Sequence, residues 1–154
     1  MEFFGPLIVV GDIAKSRVFY ESVLGQKLKF DFGENIMFES GLSIQLKPHY
    51  AAMLEISENA ILSASHNFEL YFEEVDFDSF IGKLESQSEI RYIQHLVEHS
   101  WGQRVTRFYD PDMNIIEVGE SMQSVVKRLL RQGKTAEETA VKTQHPIEFV
   151  KSCM

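Results

Sequence analysis

The sequence predicts an α+β fold: two βαβββ modules forming an eight-stranded cupped mixed sheet, followed by a helical C-terminal extension. Three observations predict it. A β-forming run followed by an aspartate-led amphipathic helix occurs twice, once from residue 7 and once from residue 68. Each occurrence is followed by further strand-like segments and ends in a similar phrase, Phe38 before SGLSIQL and Phe108 before DPDMNIIEV. Beyond residue 120 the strand pattern stops and apolar residues recur at helical spacing. The modules span about residues 5–48 and 67–119 of a domain covering 1–120, and the extension covers 121–154.

Taken in order, residues 7–10 are a short β-branched run closed by Gly11, the pattern of a buried strand. Asp12 then caps a helix running to about residue 24, with Phe19, Tyr20, Val23 and Leu24 as its apolar stripe and Gly25 as its stop. Residues 27–32, 35–39 and 42–47 read as three strands, with Gly33 and Ser40-Gly41 as turns. From His49 to His66 no strand pattern is evident, so this stretch is a linker, a lid or a short helix.

The second module starts with the strand FELYFE at 68–73. Asp76 or Asp78 caps a helix with Phe77, Phe80, Ile81 and Leu84 on one face. Residues 91–97 are a strand, and 101–122 read as a hairpin. Asp110-Pro111-Asp112-Met113-Asn114 is its turn, with Pro fixing φ and Asp and Asn tolerating tight conformations. In the last strand Glu117 stands between Ile116 and Val118 and so faces away from both.

In the extension, Met122, Val125, Val126, Leu129 and Leu130 make an amphipathic helix stopped by Gly133. Thr135 with Glu138 three residues on begins a second helix, and Pro146 a third. The stretch has a helix-turn-helix flavour and is locally basic, six Lys/Arg against three Glu. The whole chain, however, carries a formal net charge of -8, which argues against nucleic acid and anionic lipid as partners. A helical cap on the sheet or a dimer brace is the simpler expectation.

Length and composition bound the rest. At 154 residues, 44% hydrophobic and 25% charged, the chain is one domain's worth and can bury a real core. The single cysteine, Cys153, excludes an internal disulfide framework and suits a reducing, cytoplasmic setting. The first residues lack a basic, uninterrupted apolar leader, and no run is long enough to span a membrane.

Two phrases carry a family likeness: W-G-x-R then F-x-D-P-D-x-N-x-x-E-V at 101–118, and V-x-D-I-x-x-S-x-x-F-Y-x-x-V-L-G at 10–25. They resemble the vicinal oxygen chelate superfamily, which includes glyoxalase I, bleomycin-resistance proteins and extradiol dioxygenases. The resemblance covers roughly residues 5–120 and implies a small-molecule site in the cup. Metal-dependent members take ligands from early in the first strand and late in the fourth strand of each module. Here those places read Gly5, Gln45, Glu69 and Glu117. Gly5 has no side chain, which departs from the pattern; a divalent ion held by Gln45, Glu69 and Glu117 is one expectation, and no cofactor is the other.

Two further readings of the same residues stay open. Gln45, Glu69 and Glu117 could form a wet hydrogen-bonding floor, or Glu69 and Glu117 could act as a catalytic acid and base. By alternation Tyr71, Arg107 and Tyr109 join them as substrate-binding candidates, and Trp101 could close over a ligand. Arg107 could bind an anionic group or form a salt bridge to Glu69 or Glu117. His95 and His99 read as structural or surface residues. The function implied is a glyoxalase-like lyase or isomerase acting on an unidentified metabolite. The alternative is a non-catalytic small-molecule binding protein. Either is expected as a homodimer, since family members often pair modules across subunits and open sheets leave edges to cover.

Overall fold

In the computed structural model, which describes residues 1–154, the chain divides into two compact units. The first comprises Met1–Asn67 together with Asp110–Asn114, and the second Phe68–Tyr109 with Ile115–Met154. Each contains a four-stranded mixed sheet.

In the first unit, β1 (Leu7–Val10) leads into α1 (Ile13–Ser22), followed by β2 (Leu28–Asp31), β3 (Asn35–Phe38) and β4 (Ser43–Leu46). The sheet order is β1-β4-β3-β2, with β1 parallel to β4 and the rest antiparallel. Asp12 caps α1 through its side chain, which accepts from the Lys15 N–H. Alternation sends Ile8, Val10, Ile36, Phe38 and Ile44 into the core, each under 5% exposed. Tyr20 of α1 lies tilted against Phe38, ring centroids 5.7 Å apart. The stretch after β4 is α2 (Lys47–Leu54), then a 3₁₀ turn at Glu58–Ala60. Pro48 sits in the first turn of α2, where its missing N–H costs nothing. This resolves the unassigned stretch as a helix and ends β4 one residue early.

The turn Asp110–Asn114 is tied into this unit by side chains from α1. The Asp110 carboxylate accepts from the Tyr20 hydroxyl at 2.8 Å and from the Asp112 and Asn114 backbone N–H groups. Asp112 accepts from the Gly11 N–H at 2.7 Å and the Ser16 hydroxyl at 3.0 Å. Burial pushes the Asp110 carboxyl above its ordinary range, against the pull of its amide and phenol donors. Burial, then Asp110, likewise raises the Tyr20 phenol. The polar residues of the S-x-x-F-Y and D-P-D-x-N phrases are therefore one hydrogen-bonded joint.

The second unit repeats the plan: β5 (Glu69–Glu74), α3 (Phe77–Glu85), β6 (Arg91–Glu98), β7 (Arg104–Tyr109) and β8 (Ile115–Glu120). Its order is β5-β8-β7-β6, again with one parallel pair. Leu70, Phe108, Ile116 and Val118 share the buried face by alternation. Asp76 stands at the start of α3, yet its side chain makes no capping bond. Instead its own N–H is held by Glu74 at 2.8 Å.

The extension forms α4 (Met122–Arg131), α5 (Ala136–Thr143) and α6 (Ile147–Ser152) within this unit. Ser121 caps α4, and Thr135 with Glu138 makes a reciprocal capping box on α5. Val125, Val126 and Leu129 are fully buried, each contributing about 2 kcal/mol of apolar burial. Val126, Val150 and Cys153 form a small core joining α4 to α6, packed by Leu130, Ala136, Ala140 and Phe149. Part of the basic segment's apolar face is thus spent on its own packing. No helix is long and apolar enough to cross a membrane.

Candidate functional site

The polar face of the second sheet is built around Glu117. In the β8 register it pairs with Tyr71 of β5 on one side and Arg107 of β7 on the other. Alternation places Glu69, Tyr71, Glu73, Arg107, Tyr109, Glu117 and Gly119 on this face, opposite the Phe108 and Ile116 core. A carboxylate 7% exposed amid a sheet needs a partner, and Glu117 has one: the Arg107 guanidinium. The same guanidinium reaches the more exposed Glu69 through Nε at 3.2 Å, and its Nη1 donates to the Gln94 side-chain oxygen at 2.9 Å. One arginine therefore bridges both acidic candidates.

Tyr71 is half-exposed and its hydroxyl is held on two sides. It accepts from the Gln103 side-chain amide at 2.7 Å and donates to Glu73 at 3.0 Å. Partial burial raises the Tyr71 phenol above its ordinary value, with the Gln103 bond pulling it back. Trp101 lies in the β6–β7 turn, stacked on His99 with centroids 4.2 Å apart, and its indole N–H donates to Gln103 at 3.1 Å. Tyr109 shares the Arg107 side of the sheet and is half-buried. His95 stacks on Tyr92 at 4.1 Å.

The first sheet carries Gln45, 3% exposed, at the place that matches Glu117. Its amide donates to the Glu34 carbonyl at 2.8 Å, meets His49 Nδ1 at 2.7 Å, and its oxygen accepts from Asn35 at 2.9 Å. Gly5 precedes β1 with φ +151°, and a side chain there would run into the Gly41 carbonyl. Glycine at this position is imposed by packing. Nowhere do three His, Cys, Asp or Glu side chains gather as a metal cage. In each unit separately, the donors expected for a divalent ion are missing or engaged: Gly5 offers none, Gln45 is hydrogen-bonded throughout, and Glu69 and Glu117 share Arg107. These residues do not fit a divalent ion.

Three contributors escape a reading of the sequence. Gln94 and Gln103 are ordinary strand and turn residues by type, without any motif. Gly119 is different, because a glycine inside a strand signals close approach of another group. A Cβ there would lie 2.8 Å from the Gln103 amide nitrogen and 3.1 Å from the Tyr71 hydroxyl.

Behind this face, at the end of β8, Glu120 is 2% exposed and carries two arginines. Arg104 bonds it through Nε at 3.0 Å and Arg128 of α4 through Nη2 at 2.8 Å. Burial pushes Glu120 upward, but the two guanidinium groups outweigh it and hold the carboxyl below its ordinary range. Arg104 also holds Asp78 at 2.6 Å, lowering that carboxyl.

Residues 3–123 match the family described as "Glyoxalase-like domain". A protein of unknown function from Agrobacterium tumefaciens str. C58 is 38% identical and superposes with a TM-score of 0.70, covering 79% of this chain and 94% of that one. A lactoylglutathione lyase from Agrobacterium tumefaciens is similar at 21% identity and TM-score 0.59, over 78% of this chain and 93% of its own. A glyoxalase/bleomycin resistance protein/dioxygenase family enzyme from Burkholderia phytofirmans PsJN is 17% identical with TM-score 0.64, over 76% and 96%. The last two share the fold alone. No curated protein matches the chain.

Proposed function

This chain belongs to the glyoxalase-like domain family, within the vicinal oxygen chelate superfamily, and on that premise we propose that it binds a small molecule on the Glu117 face of its second sheet without a divalent ion. The observation that carries this reading is the Arg107 guanidinium shared by Glu117 and Glu69. An ion of charge +2 between two carboxylates and a guanidinium of charge +1 in the same place are alternatives. The second already offsets the carboxylate charge that would hold a metal and takes up the place between the two side chains. What the face offers instead is a set of fixed polar groups, Tyr71, Arg107, Gln94 and Glu69, beside Tyr109. Polar groups placed in this way fix a ligand's orientation and give specificity.

The mechanism of binding follows from these groups. Glu117, buried, holds Arg107 in place. Glu69, exposed, can swing away and let a ligand oxygen take its place on the guanidinium. Tyr71 presents a hydroxyl whose proton goes to Glu73 in the free protein and is available to a ligand acceptor. A second reading, a glyoxalase-like lyase or isomerase, is favoured by one observation: Tyr71 and Glu117, a donor and a base, are direct neighbours in the β5–β8 register. In that case Tyr71 and Glu117 would move protons and Arg107 would steady developing negative charge.

A thermal-shift screen of small metabolites and drug-like aromatics on the full-length chain tests the reading, followed by a lactoylglutathione lyase assay with and without chelator. Binding predicts a stoichiometric ligand, unaffected by chelator and weakened at least about tenfold by Tyr71→Phe or Arg107→Met. Turnover that chelator abolishes and a divalent ion restores would overturn it. The reading includes a cytoplasmic homodimer. The exposed Ile93 and Leu96 of edge strand β6 and the stacked, exposed Phe30 and Phe32 at β2 support association. Sedimentation velocity of the full chain checks it.

A further inference from the structure

The Gln103 amide has no freedom to turn. Its nitrogen donates to the Tyr71 hydroxyl at 2.7 Å and to the Glu120 carbonyl at 3.0 Å, while its oxygen accepts from the Trp101 indole at 3.1 Å. An indole can only donate and a carbonyl can only accept, so a flipped amide would lose both bonds. The Tyr71 oxygen is therefore always on the receiving side of Gln103, and its own proton must point elsewhere. In the free protein it points to exposed Glu73.

The turn that carries Gln103 is gripped by the C-terminal extension. Arg128 of α4 donates to the Gly102 carbonyl at 2.5 Å while also holding Glu120. Lys142 of α5 donates to the Ser100 carbonyl at 3.1 Å. Gly102, with φ +89°, lies against the extension so closely that a Cβ would be 3.3 Å from Lys142 and 3.5 Å from Leu129. Within the turn, the His99 N–H bonds the Gln103 carbonyl at 2.8 Å. The chain of contacts is continuous from α4 and α5 to the Tyr71 hydroxyl.

We infer that Gln103 is a positioning residue that fixes Tyr71 as a hydrogen-bond donor toward a ligand oxygen, and that the C-terminal extension is the clamp that holds Gln103. The ligand class this selects carries an acceptor oxygen, a carbonyl, ether or carboxylate, in reach of Tyr71. The extension then belongs to the recognition face rather than being an appendage to it. Calling the partner a ligand rests on the binding function proposed above; the positioning itself does not.

The test reads Tyr71 directly in the ligand-free, full-length protein. The chain is labelled with 3-fluorotyrosine, the Tyr71 resonance is assigned with Tyr71→Phe, and its titration is followed by ¹⁹F NMR. Gln103→Leu removes a bond to the phenolate oxygen and raises the Tyr71 midpoint. Gly119→Ala changes no hydrogen-bonding group but pushes the Gln103 amide and the Tyr71 hydroxyl apart, and it raises the midpoint in the same direction. Arg128→Lys keeps the charge facing Glu120 but cannot also span to Gly102, and it produces a smaller shift of the same sign. An unchanged Tyr71 midpoint in folded Gln103→Leu, or in Gly119→Ala should the first variant unfold, overturns the positioning role. A shift with Gln103→Leu but none with Arg128→Lys overturns the clamp. Absence of any ligand in the screen leaves these outcomes as they are, so the two readings fail separately.

Discussion

The two sheets have the same strand order and nearly the same hydrophobic face, and they differ in what stands opposite that face. At the end of the first sheet's last strand Gln45 sits in a hydrogen-bonded network of Asn35, His49 and a backbone carbonyl, with the Glu34 carboxylate 3.5 Å from His49. At the matching place in the second, Glu117 sits in an ionic one with Arg107 and Glu69. The topology tolerates both because the core needs only the alternate residues, Ile36, Phe38 and Ile44 in one and Phe108, Ile116 and Val118 in the other. Polar faces of repeated modules are free to differ, and the ionic one is the face proposed above for recognition.

Arg107→Met should break the contrast most severely. It strands a buried carboxylate, so urea denaturation at pH 7 should show a loss of about 3–5 kcal/mol. The double variant with Glu117→Gln should regain most of that loss. Should Arg107→Met prove as stable as the parent, the ion pair is not what holds this face together.

The next effect separates two buried carboxylates by the sign of their pH dependence. Glu120 has a lowered value in the folded state, so its stabilisation is present above the ordinary glutamate range and is lost as pH falls through the folded value. Asp110 has a raised value, so stability tied to it is greatest in acid and declines as pH rises from the ordinary aspartate value through the folded one. Glu120→Gln should therefore flatten the acid limb of a stability–pH profile and cost about 3 kcal/mol at pH 7, since it leaves two half-buried guanidinium groups short of a charge. Asp110→Asn should remove a slope of the opposite sign and leave the acid limb steep. Identical profiles for the two variants would contradict the assignment.

In the first sheet, Gln45→Leu should cost about 1–2 kcal/mol, measured the same way. The smallest effect belongs to Glu69→Gln. Its carboxylate is exposed, and the loss should be below about 0.5 kcal/mol while salt dependence weakens slightly. A large penalty there would mean that Glu69, not Glu117, anchors Arg107.

How much of this was legible in the sequence depends on whether the information is local. Alternation in IIEV and RVTRFY is enough to set Glu117, Arg107 and Tyr109 against the Phe108 core, because a strand's period needs no partner to be read. The capping signals of α1 and α5 are equally local. The D-P-D-x-N phrase reads as a turn, but its tie to Ser16 and Tyr20 depends on a fold that brings distant residues together. Gly5 shows the same limit: its lack of a side chain is plain, while the reason, the Gly41 backbone pressed against it, is tertiary. Arg107 could equally have met a ligand or a carboxylate until the register fixed its neighbours. Gln103 carries no type signal at all, and only the interior Gly119 hinted that something approaches β8 closely.

The central claim is that a guanidinium, not a metal ion, stands between Glu69 and Glu117. Isothermal titration of Zn²⁺ and Mn²⁺ into tag-free, chelator-treated full-length protein, beside Arg107→Lys and Arg107→Met, tests it most directly. The account predicts no stoichiometric binding at this face in the parent, and a newly gained, Glu117-dependent site in Arg107→Met. One equivalent of ion bound by the parent chain and lost on Glu117→Gln would contradict it.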